Sequence, residues 1–261
     1  MSDRDTAGRE HDSMAATGTG STGAGFLPPP IASASSPFGA MLGLALRRPG
    51  GRRAGSVFTA LLLLAGVGMF AFPAFTDLYG NFAQRHVQDK SASPQFQTEY
   101  LEHKVKVGDG LTRLIVNNNR MQVNVMVVEG TSLAALQAGA GHYVNTPFPC
   151  EQGNVGIAGH RTTYGRPFNK IDLMHTGDTV DLITPFAKCT YRVEPGFDGH
   201  SNPWVVLPNA SEVVGQQGDL GTGHWLTLTS CHPKGSASHR IVLRLRLVKV
   251  TPLPLKTTKG K

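Results

Sequence analysis

From residue 107 to residue 250 the chain alternates apolar and polar positions in short runs, the period of half-buried β-strands. Residues 111–116 and 122–128 are two such runs. Asn117-Asn118-Asn119 between them reads as a turn, because asparagine tolerates left-handed backbone angles. Thr131 or Ser132 can cap a short helix over 133–137 that ends at Gly139, and Gly141-His142-Tyr143 follows as a loop. Residues 155–160 form a glycine-containing strand that ends in His160, with a polar loop over 161–170 behind it. A strand whose interior holds glycine often marks a close backbone approach. Further strands are expected at 179–183, 189–193 and 205–207. Many short strands separated by Gly and Pro turns predict one mainly antiparallel barrel or sandwich of about 145 residues.

The last two strands are the most informative. In Leu226-Thr227-Leu228-Thr229-Ser230-Cys231 the leucines face one side and Thr227, Thr229 and Cys231 the other. After eight intervening residues, 240–248 alternates again, with Ile241, Leu243, Leu245 and Leu247 on one face and Arg240, Val242, Arg244 and Arg246 on the other. If the two form an antiparallel hairpin, the chain returns beside Cys231 at about Arg240. Opposed residues share a face, so the leucines point into one core, and the thiol and guanidinium point together out of it.

A different pattern occupies residues 56–75, where 20 residues carry no charge. That length can cross about 30 Å of hydrocarbon as a helix. A cleaved signal peptide has a shorter apolar region near the chain start, whereas this run follows about 55 residues, so a retained single-pass anchor over 56–76 is the reading. Arg47, Arg48, Arg52 and Arg53 precede it and place the N-terminus in the cytoplasm and the rest outside. The net charge of +7 is thereby explained in large part by topology, which argues against a nucleic-acid partner. Residues 1–55 are rich in Gly, Ala, Ser, Thr and Pro and read as a disordered cytoplasmic tail. Residues 77–106 read as an extracellular stalk that holds the domain off the membrane, part of which can pack on the domain as a helix, and 251–261 as a disordered tail.

Cys150, Cys189 and Cys231 are the three cysteines, and an odd number outside the cytoplasm leaves at least one free thiol. Cys150 and Cys189 could form a disulfide, but Cys189 alternates with Tyr191 and Val193, and the favoured expectation is an unpaired core residue. Cys231, at a strand end on the polar side, is suited to be a nucleophile that attacks a carbonyl and forms a thioester. His160 would protonate the leaving amine and later take a proton from the incoming group. Arg240 would stabilise the oxyanion or position the substrate backbone. Of the ten histidines, His232 and His239 adjoin Cys231 and Arg240 and so face the wrong side. His142, His175 and His224 read as surface or hydrogen-bonded structural residues, whereas His160 ends a strand at a loop, where functional groups are displayed. No cofactor is expected, and the Cys and His positions lack the close paired spacing of a metal site.

These segments resemble the sortase family. Residues 226–231 closely match its Thr-Leu-any-Thr-Cys signature, with Ser230 in place of the last Thr, and 231–240 looks like its cysteine-to-arginine segment. Residues 157–165 are similar to the histidine segment of class E sortases of high-GC Gram-positive bacteria, and 128–131 and 141–143 also fit that class. Gly235 stands where an apolar residue is common, and 114–117 lacks a frequent Ile-Pro; both departures bear on substrate preference. The resemblance covers about 105–250. It implies an all-β, mainly antiparallel eight-stranded barrel with short helices, preceded by one transmembrane helix, and cysteine transpeptidation at the outer membrane face. It further implies secreted proteins bearing a C-terminal sorting signal, of Leu-Ala-any-Thr-Gly or Leu-Pro-any-Thr-Gly type, cleaved between Thr and Gly, and a peptidoglycan-precursor amine as acceptor. Carried over by position, Cys231, His160 and Arg240 are catalytic, and Tyr143 and Thr229 would read the signal, although Tyr143 could equally fill the base of a loop. The alternatives are an L,D-transpeptidase or other cysteine hydrolase, and a non-catalytic wall-binding module.

Overall fold

The computed structural model describes residues 49–90, 93–197 and 199–254. The expected cytoplasmic tail therefore lies almost wholly outside the described residues. Helix α1, Pro49–Lys90, is continuous through the expected span and well into the expected stalk. Its stretch Arg53–Gln88 is long and apolar enough to cross a membrane. Beyond the apolar run, Thr76, Gly80 and Val87 are buried. Their spacing of four and seven residues is that of one helical face. Val87 packs with Met126, Val128 and Ala135, so this part of α1 lies on the β domain rather than spacing it away. Helix α2, Pro94–Leu101, is capped by Ser93, whose hydroxyl accepts from the Phe96 N–H (3.2 Å), and buries Phe96 and Tyr100 against Leu111 and Phe148.

The β domain follows in chain order: β1 Gly110–Asn117, β2 Gln122–Glu129, helix α3 Leu133–Ala138, β3 Ala140–His142, β4 Gly153–Gly159, β5 Thr179–Ile183 and β6 Ala187–Val193. A small hairpin, β7 Gly196–Phe197 with β8 His200–Ser201, precedes β9 Trp204–Val206, a short helix α4 Asp219–Thr222, β10 His224–His232 and β11 His239–Pro252. The sheet runs β10-β4-β3-β2-β1-β5-β6-β11, and pairing of β10 with β11 closes it into an eight-stranded barrel, with β9 alongside the first residues of β11. Closure removes the exposed edges that an open sheet would leave. The contacts β2–β3 and β4–β10 are parallel and the others antiparallel. Leu114, Val127, Ile157, Leu182, Leu228 and Leu243 are among the inward side chains that fill the barrel.

Three expectations need correction. Gly141-His142 is strand, not loop: β3 pairs in parallel with β2, with His142 level with Glu129. Thr251 and Pro252 are strand as well, paired with Lys188 and Ala187, so the expected tail begins later than residue 251. Cys150 and Cys189 form a disulfide across 39 residues. Cys189 is indeed fully buried. Core placement and disulfide bonding are compatible because the bridge itself packs in the apolar interior beside Tyr191, whose hydroxyl accepts the Cys150 N–H (2.9 Å).

Candidate active site

β10 lies between β4 and β11. Against β11, Cys231 is level with Arg240; against β4, Ser230 is level with Gly159. Cys231 and His160 each follow this last paired position by one residue, so the ends of β10 and β4 bring them to the same rim. Three neighbouring strands thus bring the thiol, the imidazole and the guanidinium from distant segments to one rim. The Ser230 hydroxyl donates to the Gly159 carbonyl (2.7 Å) and fastens β10 to β4 one residue before the two side chains. Cys231 is a half-buried free thiol.

His160 sits where the chain turns out of β4. A Cβ on Gly159 would lie 2.6 Å from the Phe168 ring, so only glycine lets that ring support the end of the strand. The Phe168 N–H in turn donates to the His160 carbonyl (3.2 Å). The His160 ring meets Tyr164 with centroids 5.1 Å apart, and its Nε2 is buried without a hydrogen bond among the described residues. Burial pushes the imidazole below its ordinary value, so it is largely neutral at pH 7. Arg240 is half-buried, and its Nη1 donates to the Ala237 and His239 carbonyls (2.9 Å each), which braces the hairpin loop.

Sequence reasoning missed Arg161, placed only in a polar loop. It is 2% exposed, its Nη2 pairs with Asp172 (2.9 Å) and its Nε donates to the Asn169 carbonyl (3.0 Å). Burial lowers its basicity, while Asp172 and then Cys231 favour the charged form. Arg161 thus holds a buried positive charge within electrostatic reach of Cys231. Its adjacency to His160 was the only sign of this in the sequence.

The polar face of β10 is not open to water. Thr227 is fully buried and donates to Asn154 Oδ1 (2.6 Å). The Thr229 hydroxyl lies 3.0 Å from the Tyr143 hydroxyl. Gly156 of β4 has no side chain because a Cβ there would lie 2.9 Å from the Tyr143 ring. A groove of about 690 Å³ is bordered by Tyr143, Thr146, Val206, Val213, Thr229 and Arg240. Its far wall, residues 204–217, is held from below. Arg244 donates to the Val213 carbonyl (2.9 Å) and lies 5.5 Å from the Trp204 ring centroid, and Asn154 donates to the Val213 and Gly215 carbonyls (3.2 Å each). Burial pushes the Arg244 guanidinium down to about 10.

His142 is structural, as expected. Its Nδ1 is 2.8 Å from Glu129 Oε2 and its Nε2 is 2.9 Å from the Thr146 hydroxyl, which donates to the Tyr143 carbonyl. This buried pair shapes the turn that carries Tyr143. Among the described residues no cluster of His, Cys, Asp and Glu has an arrangement that could hold a metal ion.

The sequence model of the sortase domain matches residues 116–248 of the chain. The chain is 28% identical to sortase SrtE1 of Streptomyces coelicolor, over 82% of this chain and 62% of that protein, and so spans less than two thirds of its length. It is also 28% identical to sortase SrtE2 of the same organism, over 78% of this chain and 86% of that one. Among solved structures, sortase E from Streptomyces avermitilis superposes with a TM-score of 0.50 at 29% identity, over 59% of this chain and 97% of that chain. The SrtF sortase from Corynebacterium diphtheriae gives 0.53 at 23% identity, over 60% and 93%, a likeness of fold.

Proposed function

The chain belongs to the sortase family and is class E-like, and from that premise we propose that it is a membrane-anchored cysteine transpeptidase. It cleaves secreted proteins at a C-terminal sorting signal of the Leu-Ala-any-Thr-Gly or Leu-Pro-any-Thr-Gly type and joins them to an amine of a peptidoglycan precursor. The observation that carries this reading is the strand order β4-β10-β11, with His160, Cys231 and Arg240 at one rim.

Cys231 gives its proton to the neutral His160 imidazole, and the thiolate so formed attacks the threonine carbonyl carbon, with negative charge gathering on the oxygen. Arg240 meets that charge with donors already held by the hairpin loop. Arg161 adds a buried positive charge within electrostatic reach of Cys231. The tetrahedral species collapses as the Thr–Gly C–N bond breaks, and the imidazolium of His160 gives its proton to the leaving glycine amine. A thioester remains. The acceptor amine then attacks it, His160 takes a proton from that amine, and the thiolate leaves with a new amide formed. Tyr143 and Thr229 line the groove on the Cys231 face of β10 and would contact the residues preceding the threonine.

The apolar run of α1 and the arginines before it support an orientation with the N-terminus in the cytoplasm, α1 across the membrane and the barrel outside. An L,D-transpeptidase reading loses its ground with the family assignment. A wall-binding module would have no use for the thiol, imidazole and guanidinium on adjacent strands. The test uses the full chain in detergent, a Leu-Ala-any-Thr-Gly peptide and an amine, with products read by mass spectrometry. The intact chain should give the transpeptidation product and Cys231→Ala none. Failure of the intact chain to turn over any of several sorting peptides would overturn the proposal.

A further inference from the structure

The part of α1 beyond the apolar run touches the loop that follows His160, and at more than one point. Asp77 accepts the Gly165 N–H on Oδ1 (3.0 Å) and pairs through Oδ2 with Arg166 (2.8 Å). A Cβ on Gly80 would stand 3.2 Å from the Tyr164 carbonyl carbon, so the helix backbone lies directly on the loop backbone. The Tyr79 and Tyr164 rings meet edge to face at 6.3 Å. One turn further, Gln84 fixes the helix to the barrel. Its Oε1 accepts the Met126 N–H (2.6 Å), and its amide donates to the Met126 and Ala138 carbonyls.

The held loop is one that does not keep its shape unaided. Tyr164, Gly165 and Arg166 all have positive φ, at 51°, 74° and 47°. For two consecutive-but-one non-glycine residues this conformation is costly and persists where surroundings impose it. Asp77 supplies that restraint at Gly165 and Arg166, and Gln137 supplies it at the Tyr164 hydroxyl (3.1 Å). The Tyr164 ring then covers His160.

We propose that the extramembrane turns of α1 are a positioning element of the active site: Asp77 and Gly80 set the Tyr164–Arg166 loop, and Tyr164 sets the His160 imidazole. The anchor is thereby coupled to the acid–base step rather than serving as a tether alone. This rests on the reading of His160 as the acid–base group. Tyr164 is the titratable group seen against that ring among the described residues.

The experiment uses the full chain in lipid vesicles, a Leu-Ala-any-Thr-Gly peptide and an amine. Asp77→Ala should lower kcat about fivefold, the scale of a half-exposed ion pair with one added hydrogen bond. KM should stay within about twofold, since the groove wall over 204–217 is untouched. Asp77→Asn keeps an oxygen for the Gly165 N–H and should recover most of the loss. Gly80→Val leaves the ion pair in place but pushes on Tyr164 and should lower kcat in the same way. His86→Ala, on the exposed face of α1, should change nothing.

A second readout needs no turnover: the His160 imidazole titration followed by NMR should move up toward the ordinary value in Asp77→Ala and Gly80→Val, as cover over the ring is lost. Unchanged kcat together with an unchanged imidazole titration in both variants overturns the coupling. Absence of product from the unaltered chain would instead overturn the transpeptidase reading, and the titration would still decide the coupling.

Discussion

At the scale of single residues, the site is governed by what buries each group. His160 is covered by Tyr164 and held on Phe168, and burial lowers its basicity. In a thiol–imidazole pair the acid limb of the rate profile reports protonation of the imidazole. That limb in kcat/KM should therefore lie below pH 6.5, the ordinary value for histidine. The sign follows from the shift: a depressed value means the ring stays neutral until the solution is more acidic. Steady-state rates between pH 4.5 and 8 would check it, and a limb above 6.5 would contradict the burial account. Cys231, His160 and Arg240 were legible because alternation assigns a face and a strand end assigns a position. Arg161 was not, because its role depends on Asp172 and Asn169, which fold back from the loop behind it. Tyr143 and Thr229 now share one explanation, a hydroxyl pair that roofs β10, and the glycine at 156 is explained by the Tyr143 ring above it.

Among elements, the hairpin β10–β11 was the most legible feature, since both strands alternate cleanly and the register the leucines demand is the register found. The neighbour β4 was read as a strand over 155–160, but its parallel pairing with β10 was not, because alternation assigns faces and not neighbours. β3 escaped altogether. It has three residues, and its histidine is buried by a partner carboxylate rather than by apolar character. The wall over 204–217 carries little alternation at all and is held by side chains reaching from β4 and β11. That dependence gives a test. Arg244→Ala withdraws a charged donor from the Val213 carbonyl and the cation from beneath Trp204. Loss of such a hydrogen bond costs about 2 kcal/mol. Urea unfolding should show a drop of that order. KM for a sorting peptide should rise severalfold with a smaller change in kcat, because the wall borders the groove and not the thiol. An unchanged KM would mean that the wall does not contact substrate.

For the molecule as a whole, composition told the order of parts: a basic, then apolar segment, then a β domain that holds all three cysteines. It allowed part of the stalk to pack on the domain as a helix but not where, because Gln84 finds its partners at Met126 and Ala138, far away in sequence. The disulfide was misread for a related reason, since a cysteine in the core and a cysteine in a bridge have the same alternation. Its presence bears on topology. A bridge closing 39 residues contributes about 4 kcal/mol through the entropy it removes from the unfolded chain, and such bridges persist in oxidising surroundings. This agrees with the orientation expected from the arginines at 47, 48, 52 and 53, with the N-terminal end inside. With Cys150 and Cys189 joined, Cys231 is the one thiol left to react. A membrane-impermeant maleimide added to intact cells should therefore label the chain once, with no need to open the membrane, and Cys231→Ala should not be labelled. Reduction before labelling should expose two more thiols and lower the resistance to urea. Labelling that appears only after the cells are permeabilised would reverse the orientation and remove the barrel from its proposed substrates.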